Sequence, residues 1–400
     1  MPGTEQAYKD KDKDLYVDTQ RLEYLDQLLD SYIAEDHRQF IIVRAHRYGV
    51  PIYEYCGGMS THAYGVHQDT ISCVFSITKC ITSTLVVKLM EDGLLDIAET
   101  VSSYLPCFRD SAHDKTQIWQ LMTHTSGISD DEWRDFRESR IREFGLEKPD
   151  KNASQEVQDL YARQLNSKLG LEEEADSACA NDCLFSQYKP SKAPGEAMMY
   201  SNTGFFYLGR LIEKVSGMSL HEYSRKVLFE PLGMIDSYYV LPEDKYDRVA
   251  GRSDRCYEHE WINTPQNFTW PGAMGGVKTT VVDLCRFGDM LIAGGSLDGV
   301  RILSPVSVRE MSRDHNHALS EKNPWDSWGL GFNLRKNKKD DSGSLRSENS
   351  LEHGGMCGHK FVADLDYGVS IAVFTGEYTY FDKNVFYPIN NVILSSLKEI

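Results

Sequence analysis

Apolar positions in this chain recur in helical and strand rhythms, and their order already suggests an architecture. Over residues 19–35, Leu22, Leu25, Leu28, Leu29, Tyr32 and Ile33 fall three and four apart, which predicts an amphipathic helix. The stretch QFIIVRAHRYGVPIYEYCGG then reads as two strands around a Tyr48-Gly49 turn. VFSITKCITSTLVVKLM, residues 74–90, is apolar almost all round, the pattern of a helix enclosed by a core, with Gly93 as its C-cap. A further helix ends at Leu121-Met122. Another, after Tyr200-Ser-Asn202, turns Phe205, Leu208, Leu211, Ile212 and Val215 to one side, with Asn202 or Thr203 as its N-cap. Near the end, LEHGGMCGHKFVADLDYGVSIAVFTG predicts a three-strand meander broken at Gly358 and Tyr367-Gly368. Val385, Phe386, Ile389, Val392, Ile393 and Leu397 predict a closing helix.

The expected fold is therefore α+β, an antiparallel sheet from residues 38–56 and the final meander, flanked by the first and last helices. The boundaries read as a polar tail at 1–18, a sheet lobe at 19–75 and 270–400, and a mostly helical lobe at 76–269. Residues 129–190 form a lid-like insertion in that lobe. From Asp130 to Asp176 the chain holds 14 acidic and 8 basic residues without a sustained apolar stripe, so this segment should carry its own helices.

Charge narrows the partners. A formal net charge of −17 excludes nucleic acid and anionic membrane surfaces as natural ligands. No window reaches the 18 or so apolar residues of a membrane span. The polar start MPGTEQAYKDKDKDLYVD has no apolar core for a secretory signal, and nine scattered cysteines lack a disulfide framework. These point to a cytoplasmic setting, with an export signal removed earlier in processing left open.

Ser76 and Lys79 sit one turn apart at the head of the apolar helix, and no Asp or Glu occurs from Ile71 to Met90. A lysine enclosed there without a local carboxylate has a lowered proton affinity and suits proton transfer from a serine. The same spacing at Ser186–Lys189 runs into Pro190, and at Ser395–Lys398 it lies at the chain end, so neither has that setting. THTSGI, residues 123–128, reads as a buried turn whose hydroxyls satisfy backbone groups, with His124 structural. Cys179 and Cys183 lack a second ligand pair and do not make a metal site. The glycines of 272–276 have neither dinucleotide nor phosphate-loop spacing and imply close backbone packing beside a pocket.

Ser76-Ile-Thr-Lys79, Tyr200-Ser-Asn202 and His353-Gly-Gly355, in that order, resemble the serine hydrolases related to class C β-lactamases. That superfamily also holds D-alanyl-D-alanine peptidases, D-aminopeptidases and small-ester hydrolases. LMTHTSGI, PGEAMMYSNTGFFYLGRLIE and GAMGGVKTTVVDLCRFG extend the resemblance over about residues 20–398. It implies Ser76 as nucleophile and Lys79 with Tyr200 as the proton-transfer pair. It further implies Asn202, His353, Gly354 and Gly355 as substrate contacts, and the N–H groups of Ser76 and Met356 as the oxyanion hole.

No metal or cofactor is implied. The expected activity is acyl hydrolysis of a small neutral or cationic ester or amide through an acyl-enzyme. A D-amino-acid-specific peptidase or an acyltransferase is the alternative, and a non-catalytic sensor or scaffold ranks below both. Self-association into a homo-oligomer stays open. His353 stands where typical β-lactamases have lysine, and this weakens a permanent anchor for a substrate carboxylate.

Overall fold

The computed structural model describes residues 17–62, 64–150, 153–256, 258–339, 342–377 and 385–398. It divides into two compact units, residues 1–94 with 216–400, and residues 95–215.

In the first unit, a six-stranded antiparallel sheet is built from β1 (Phe40–Arg47), β2 (Val50–Gly58), β3 (Asn333–Leu334), β4 (Ser350–Gly355), β5 (His359–Asp364) and β6 (Val369–Thr375). Their spatial order is β2-β1-β6-β5-β4-β3, and β1 pairs with β6 from Ile41↔Thr375 to Arg47↔Val369. This joins the hairpin near the start to the meander near the end, as the sequence leads one to expect. β5 and β6 are buried along their whole length, and β6 accordingly reads as a nearly continuous apolar run, while β5 carries His359, Lys360 and Asp364 at its ends.

On one face lie α1 (Thr19–Ala34) and the C-terminal helix, α9 (Phe386–Ser395). Leu22, Leu25, Leu29 and Tyr32 of α1 and Phe386, Ile389 and Ile393 of α9 share a core with Ile41, Val43, Val362, Ile371 and Val373. Fully burying each large side chain contributes about 1.5–3 kcal/mol. Against the other face lies α8 (Val281–Ile292), where a Cβ on Gly288 would come within 2.7 Å of the Ser370 side chain. Thr280 caps α8 by accepting from the Asp283 N–H at 3.1 Å. Most of the expected tail lies outside the described residues, but its last two belong to the fold. Val17 is buried and bridges Leu397, and the Asp18 carboxylate caps α1.

The apolar helix, α2 (Thr78–Glu91), is counted with the sheet rather than with a helical lobe, as are residues 216–269. Its hydrogen bonds give the reason. Thr78 Oγ1 accepts from Val277 N–H at 3.0 Å, Thr82 Oγ1 donates to the Ala273 carbonyl at 2.7 Å, and Cys80 Sγ donates to the Gly331 carbonyl.

The second unit contains α3 (Ile118–Met122), α4 (Asp130–Glu143), α5 (Gln155–Leu169), α6 (Ser177–Gln187) and α7 (Asn202–Ser216). The acidic insertion does carry helices, α4 to α6, with a small core of Ile141, Leu165 and Ala180. A larger aromatic nest joins Phe108, His113, Phe185, Tyr188 and Tyr207, with His113 stacked on Phe185 at 4.3 Å between ring centroids.

Candidate active site

Ser76 stands in a single 3-10 turn, Phe75–Ile77, that feeds into α2 at Thr78. Phe75 holds a positive φ of 46°, an angle that few side chains accept and that bends the chain sharply just before the serine. Strain of this kind is tolerated where the surroundings over-determine it. Here Val74 N–H is held by the Val277 carbonyl at 3.0 Å, and Phe75 is buried.

Lys79 is fully buried, and its Nζ lies 3.1 Å from Ser76 Oγ. The same Nζ donates to the Met274 carbonyl at 2.8 Å. Met274 belongs to the glycine-rich turn, so the glycines serve packing near Lys79, as expected. A Cβ on Gly276 would come within 2.4 Å of the Gly272 nitrogen, and one on Gly272 within 2.2 Å of the Trp270 ring. The turn folds this tightly only without those side chains, and its carbonyl then fixes the lysine amine beside the serine. Nothing in the sequence marked Met274, because the contribution is a backbone oxygen.

β4 ends beside the Ser76 turn. A Cβ on Gly355 would come within 2.3 Å of the Val74 carbonyl oxygen, so the strand edge approaches the serine turn as closely as backbone allows. Gly354 has nothing nearer than 3.7 Å to its missing Cβ. Met356 follows in the turn to β5.

His353 is buried, its Nδ1 is 2.7 Å from the Gly354 carbonyl, and its ring meets Trp328 edge-on. Burial, and then the neighbouring Lys79 amine, push its imidazole down to about 3, so the ring is neutral near pH 7. A neutral, enclosed ring offers no charge to a substrate carboxylate.

Within the second unit, Tyr200 and Asn202 are set by two residues from earlier in the chain. His124, itself at φ 61°, accepts the Ser201 N–H on Nδ1 at 3.0 Å, and its carbonyl accepts the Met199 N–H at 2.7 Å. Its ring lies against that of Tyr200, with centroids 4.3 Å apart. The Asp130 carboxylate accepts the N–H groups of Asn202 at 2.7 Å and Thr203 at 2.8 Å. Ser201 Oγ accepts from Gly204 N–H at 3.0 Å.

The first turn of α7 is thus capped by Ser201 and by a carboxylate from another helix, in place of the expected Asn202 or Thr203. Asp130 escaped sequence reading because it looked like one more charge in an acidic run. The buried turn at 123–128 is as expected, with Thr123 and Thr125 hydroxyls 2.9 Å apart and Gly127 packed on the Lys192 carbonyl. Tyr200 remains exposed at 41%.

The family model described as Beta-lactamase matches residues 25–383. The chain belongs to the beta-lactamase family. Penicillin-binding protein 4 of Amycolatopsis lactamdurans is 29% identical over 303 residues, 71% of this chain and 68% of that one. Esterase EstB of Burkholderia gladioli is 23% identical over 372 residues, 88% and 89% of the two chains. Among solved structures, EstCE1, described as a hydrolase with promiscuous acyltransferase activity, superposes with a TM-score of 0.70 at 20% identity, covering 94% of this chain and 99% of its own. That match shows the fold of this beta-lactamase family member as the mixed sheet-and-helix arrangement described above. Among the described residues no helix is long and apolar enough to cross a membrane, and no group of three or more His, Cys, Asp and Glu is placed to hold a metal ion.

Proposed function

We propose that this chain is a serine acyl hydrolase acting on small esters or amides through an acyl-enzyme, with Ser76 as nucleophile. One observation carries the reading: a buried lysine amine 3.1 Å from a serine hydroxyl, held in place by a backbone carbonyl on its far side. In the proposed reaction Ser76 Oγ attacks the acyl carbonyl while its proton passes to the Lys79 and Tyr200 pair. The same pair then protonates the departing alcohol or amine, and water, delivered in the reverse sense, releases the acid.

The N–H groups of Ser76 and Met356 are the proposed oxyanion donors, each worth about 3–4 kcal/mol of barrier. The approach of Gly355 to Val74 supports this, because it draws the β4 end toward the serine turn. Asn202 is the proposed partner of the acyl side, and Gly354 and Gly355 the proposed edge against which substrate backbone lies. The net charge of −17 and the acidic run at 130–176 favour neutral or cationic substrates over anionic ones.

The neutral, enclosed His353 disfavours substrates that need a fixed positive anchor, so short esters should outpace β-lactams and carboxylate-bearing peptides. A second reading, acyl transfer to an alcohol or amine acceptor, is favoured by EstCE1, whose description includes acyltransferase activity.

The test is covalent labelling combined with turnover. A fluorophosphonate should add mass to the wild type and not to Ser76→Ala. A short-chain p-nitrophenyl ester should lose on the order of 10⁴-fold or more in turnover with that variant. Labelling of Ser76→Ala, or labelling of neither protein, would refute the assignment. Adding a primary alcohol and following the transfer product separates acyl transfer from hydrolysis.

A further inference from the structure

Two thiols beside the proposed oxyanion turn have no part in the chemistry above. Cys357 lies in the turn between β4 and β5, immediately after Met356, at a φ of 65°. Cys256 comes from the loop that precedes the short helix His259–Ile262. Both are buried, and both belong to a cluster that includes Ile71, Phe75 and Phe268.

Their Sγ atoms are 2.8 Å apart, and both are thiols. A thiol is a weak hydrogen-bond donor and gains little from such an approach. A disulfide needs about 2.05 Å, so the remaining movement is roughly 0.8 Å. The surroundings also differentiate the two sulfurs. The contact with Cys357, aided by the Arg252 guanidinium, lowers the proton affinity of Cys256, while the same contact and burial raise that of Cys357. One thiol is thereby readied to attack and the other to resolve.

We propose that Cys256 and Cys357 are a redox-modification site, oxidised by a hydroperoxide to a reversible disulfide that shifts the Met356 turn and lowers acyl turnover. The effect on turnover rests on the oxyanion role proposed for Met356; formation of the bond does not.

In the oxidation, the Cys256 thiolate attacks one peroxide oxygen. An S–O bond forms, the O–O bond breaks, and the departing hydroxide takes a proton to become water. Cys357 sulfur then attacks the Cys256 sulfenic sulfur. The S–S bond forms, the S–O bond breaks, and the Cys357 proton leaves with that hydroxyl as a second water. Two thiols give up two electrons to one peroxide, and a dithiol returns them. Hydrogen peroxide is small enough to reach buried sulfur through local opening of the turn.

Coupling to Met356 follows from geometry. A disulfide demands a torsion near 90° across its sulfurs, and Cys357 sits where backbone angles are narrowly confined. Thr375 Oγ1 also ties the turn at the Gly358 carbonyl, 2.9 Å away. The adjustment therefore falls on the Met356 side.

The experiment treats the full chain with hydrogen peroxide, blocks remaining thiols with N-ethylmaleimide, and maps peptides without reductant. We expect a Cys256–Cys357 linked peptide. Ester turnover should fall on the order of tenfold, as misplacement of a donor would cause, and return with dithiothreitol. Cys256→Ala should keep its turnover through the same treatment. Absence of the linked peptide, with Ser76 still labelled by a fluorophosphonate, overturns the site and leaves the hydrolase reading intact. A linked peptide with unchanged turnover overturns the coupling. Mass mapping needs no activity, so a chain that never cleaves esters fails the hydrolase reading alone, and the peptide map still decides the thiol pair.

Discussion

At the scale of single residues, the second unit turns on His124. Its Nδ1 takes the Ser201 N–H, its carbonyl takes the Met199 N–H, and its ring backs Tyr200, so three consecutive residues around the proposed base depend on it. Replacing it separates these roles. In His124→Asn the amide oxygen stands close to where Nδ1 was, and asparagine tolerates the positive φ of 61°. The Ser201 bond survives and the ring contact is lost. In His124→Ala the Ser201 N–H is stranded in a buried site, at a cost of about 1–3 kcal/mol. We expect His124→Ala to lower the urea midpoint and His124→Asn to retain most of it, while both reduce kcat for a p-nitrophenyl ester with little change in KM. Equal stability loss in both variants would show that the ring, and not the acceptor, holds the loop. Sequence reading took His124 as a buried structural histidine and singled out Ser76 and Lys79 by spacing and setting, whereas Tyr200 entered only through the family resemblance. What it missed acts at long range or through backbone. The Met274 carbonyl carries no side-chain signature, and Asp130 reaches α7 only because α4 begins next to it.

At the scale of elements, the informative contact is β4 against the serine turn. The strand itself was readable as the first arm of a meander broken at Gly358 and Tyr367-Gly368, as were the last two strands, and β1 and β2 were readable around the Tyr48-Gly49 turn. Within this sheet β3, two residues long, gave too short a pattern to find, as did the two-residue strands Ser72–Cys73, Lys278–Thr279, Ser296–Leu297 and Val300–Arg301 outside it. Register explains why β4 can be sensitive at its end. His353 pairs with Phe361 and Gly355 with His359, so the strand is fixed along its length and cannot slide to relieve a clash. Gly355→Ala places a Cβ 2.3 Å from the Val74 carbonyl, well inside contact distance. The strand end must then lift from the serine turn. We expect ester kcat to drop on the order of a hundredfold, the scale of losing one oxyanion donor, with a smaller change in thermal midpoint. Gly354→Ala, whose Cβ has 3.7 Å of room, should fold normally and show its effect in KM. Wild-type turnover in Gly355→Ala would remove the argument that this approach positions the Met356 N–H.

Over the whole molecule, the buried histidines set how the fold responds to acid. Burial pushes His113 down to about 4 in its aromatic nest and His353 to about 3, and it drives His359, packed beside Arg252, well below the ordinary range. In the unfolded chain each titrates near 6.5. Below that pH the unfolded state takes up protons that the folded state refuses, so stability falls as pH falls. The contribution is fully present above about 6.5 and is lost toward the folded values. Glu352 acts in the same direction at lower pH: burial opposes its charge, but Lys360 and Arg346 hold its carboxyl down to about 2, so its stabilisation fades below about 4.5. Asp283 works against them. Burial raises it to about 6, and it takes up its proton in the folded state first, between that pH and its ordinary range. Burial lowers His221 and His315 as well, and it raises Asp182, Asp326, Asp364 and Glu377 alongside Asp283. The histidines titrate from the higher reference near 6.5, so the urea midpoint should drop from pH 6.5 to 4.5. His113→Phe tests the attribution, because a phenyl ring keeps the stack on Phe185, centroids 4.3 Å apart in the native protein, and removes the proton site. The variant should recover roughly 2–3 kcal/mol of the acid loss at pH 4.5 and match the wild-type slope above pH 7. Identical pH profiles for the two proteins would mean that His113 is solvated and charged in acid, contrary to its place in the nest.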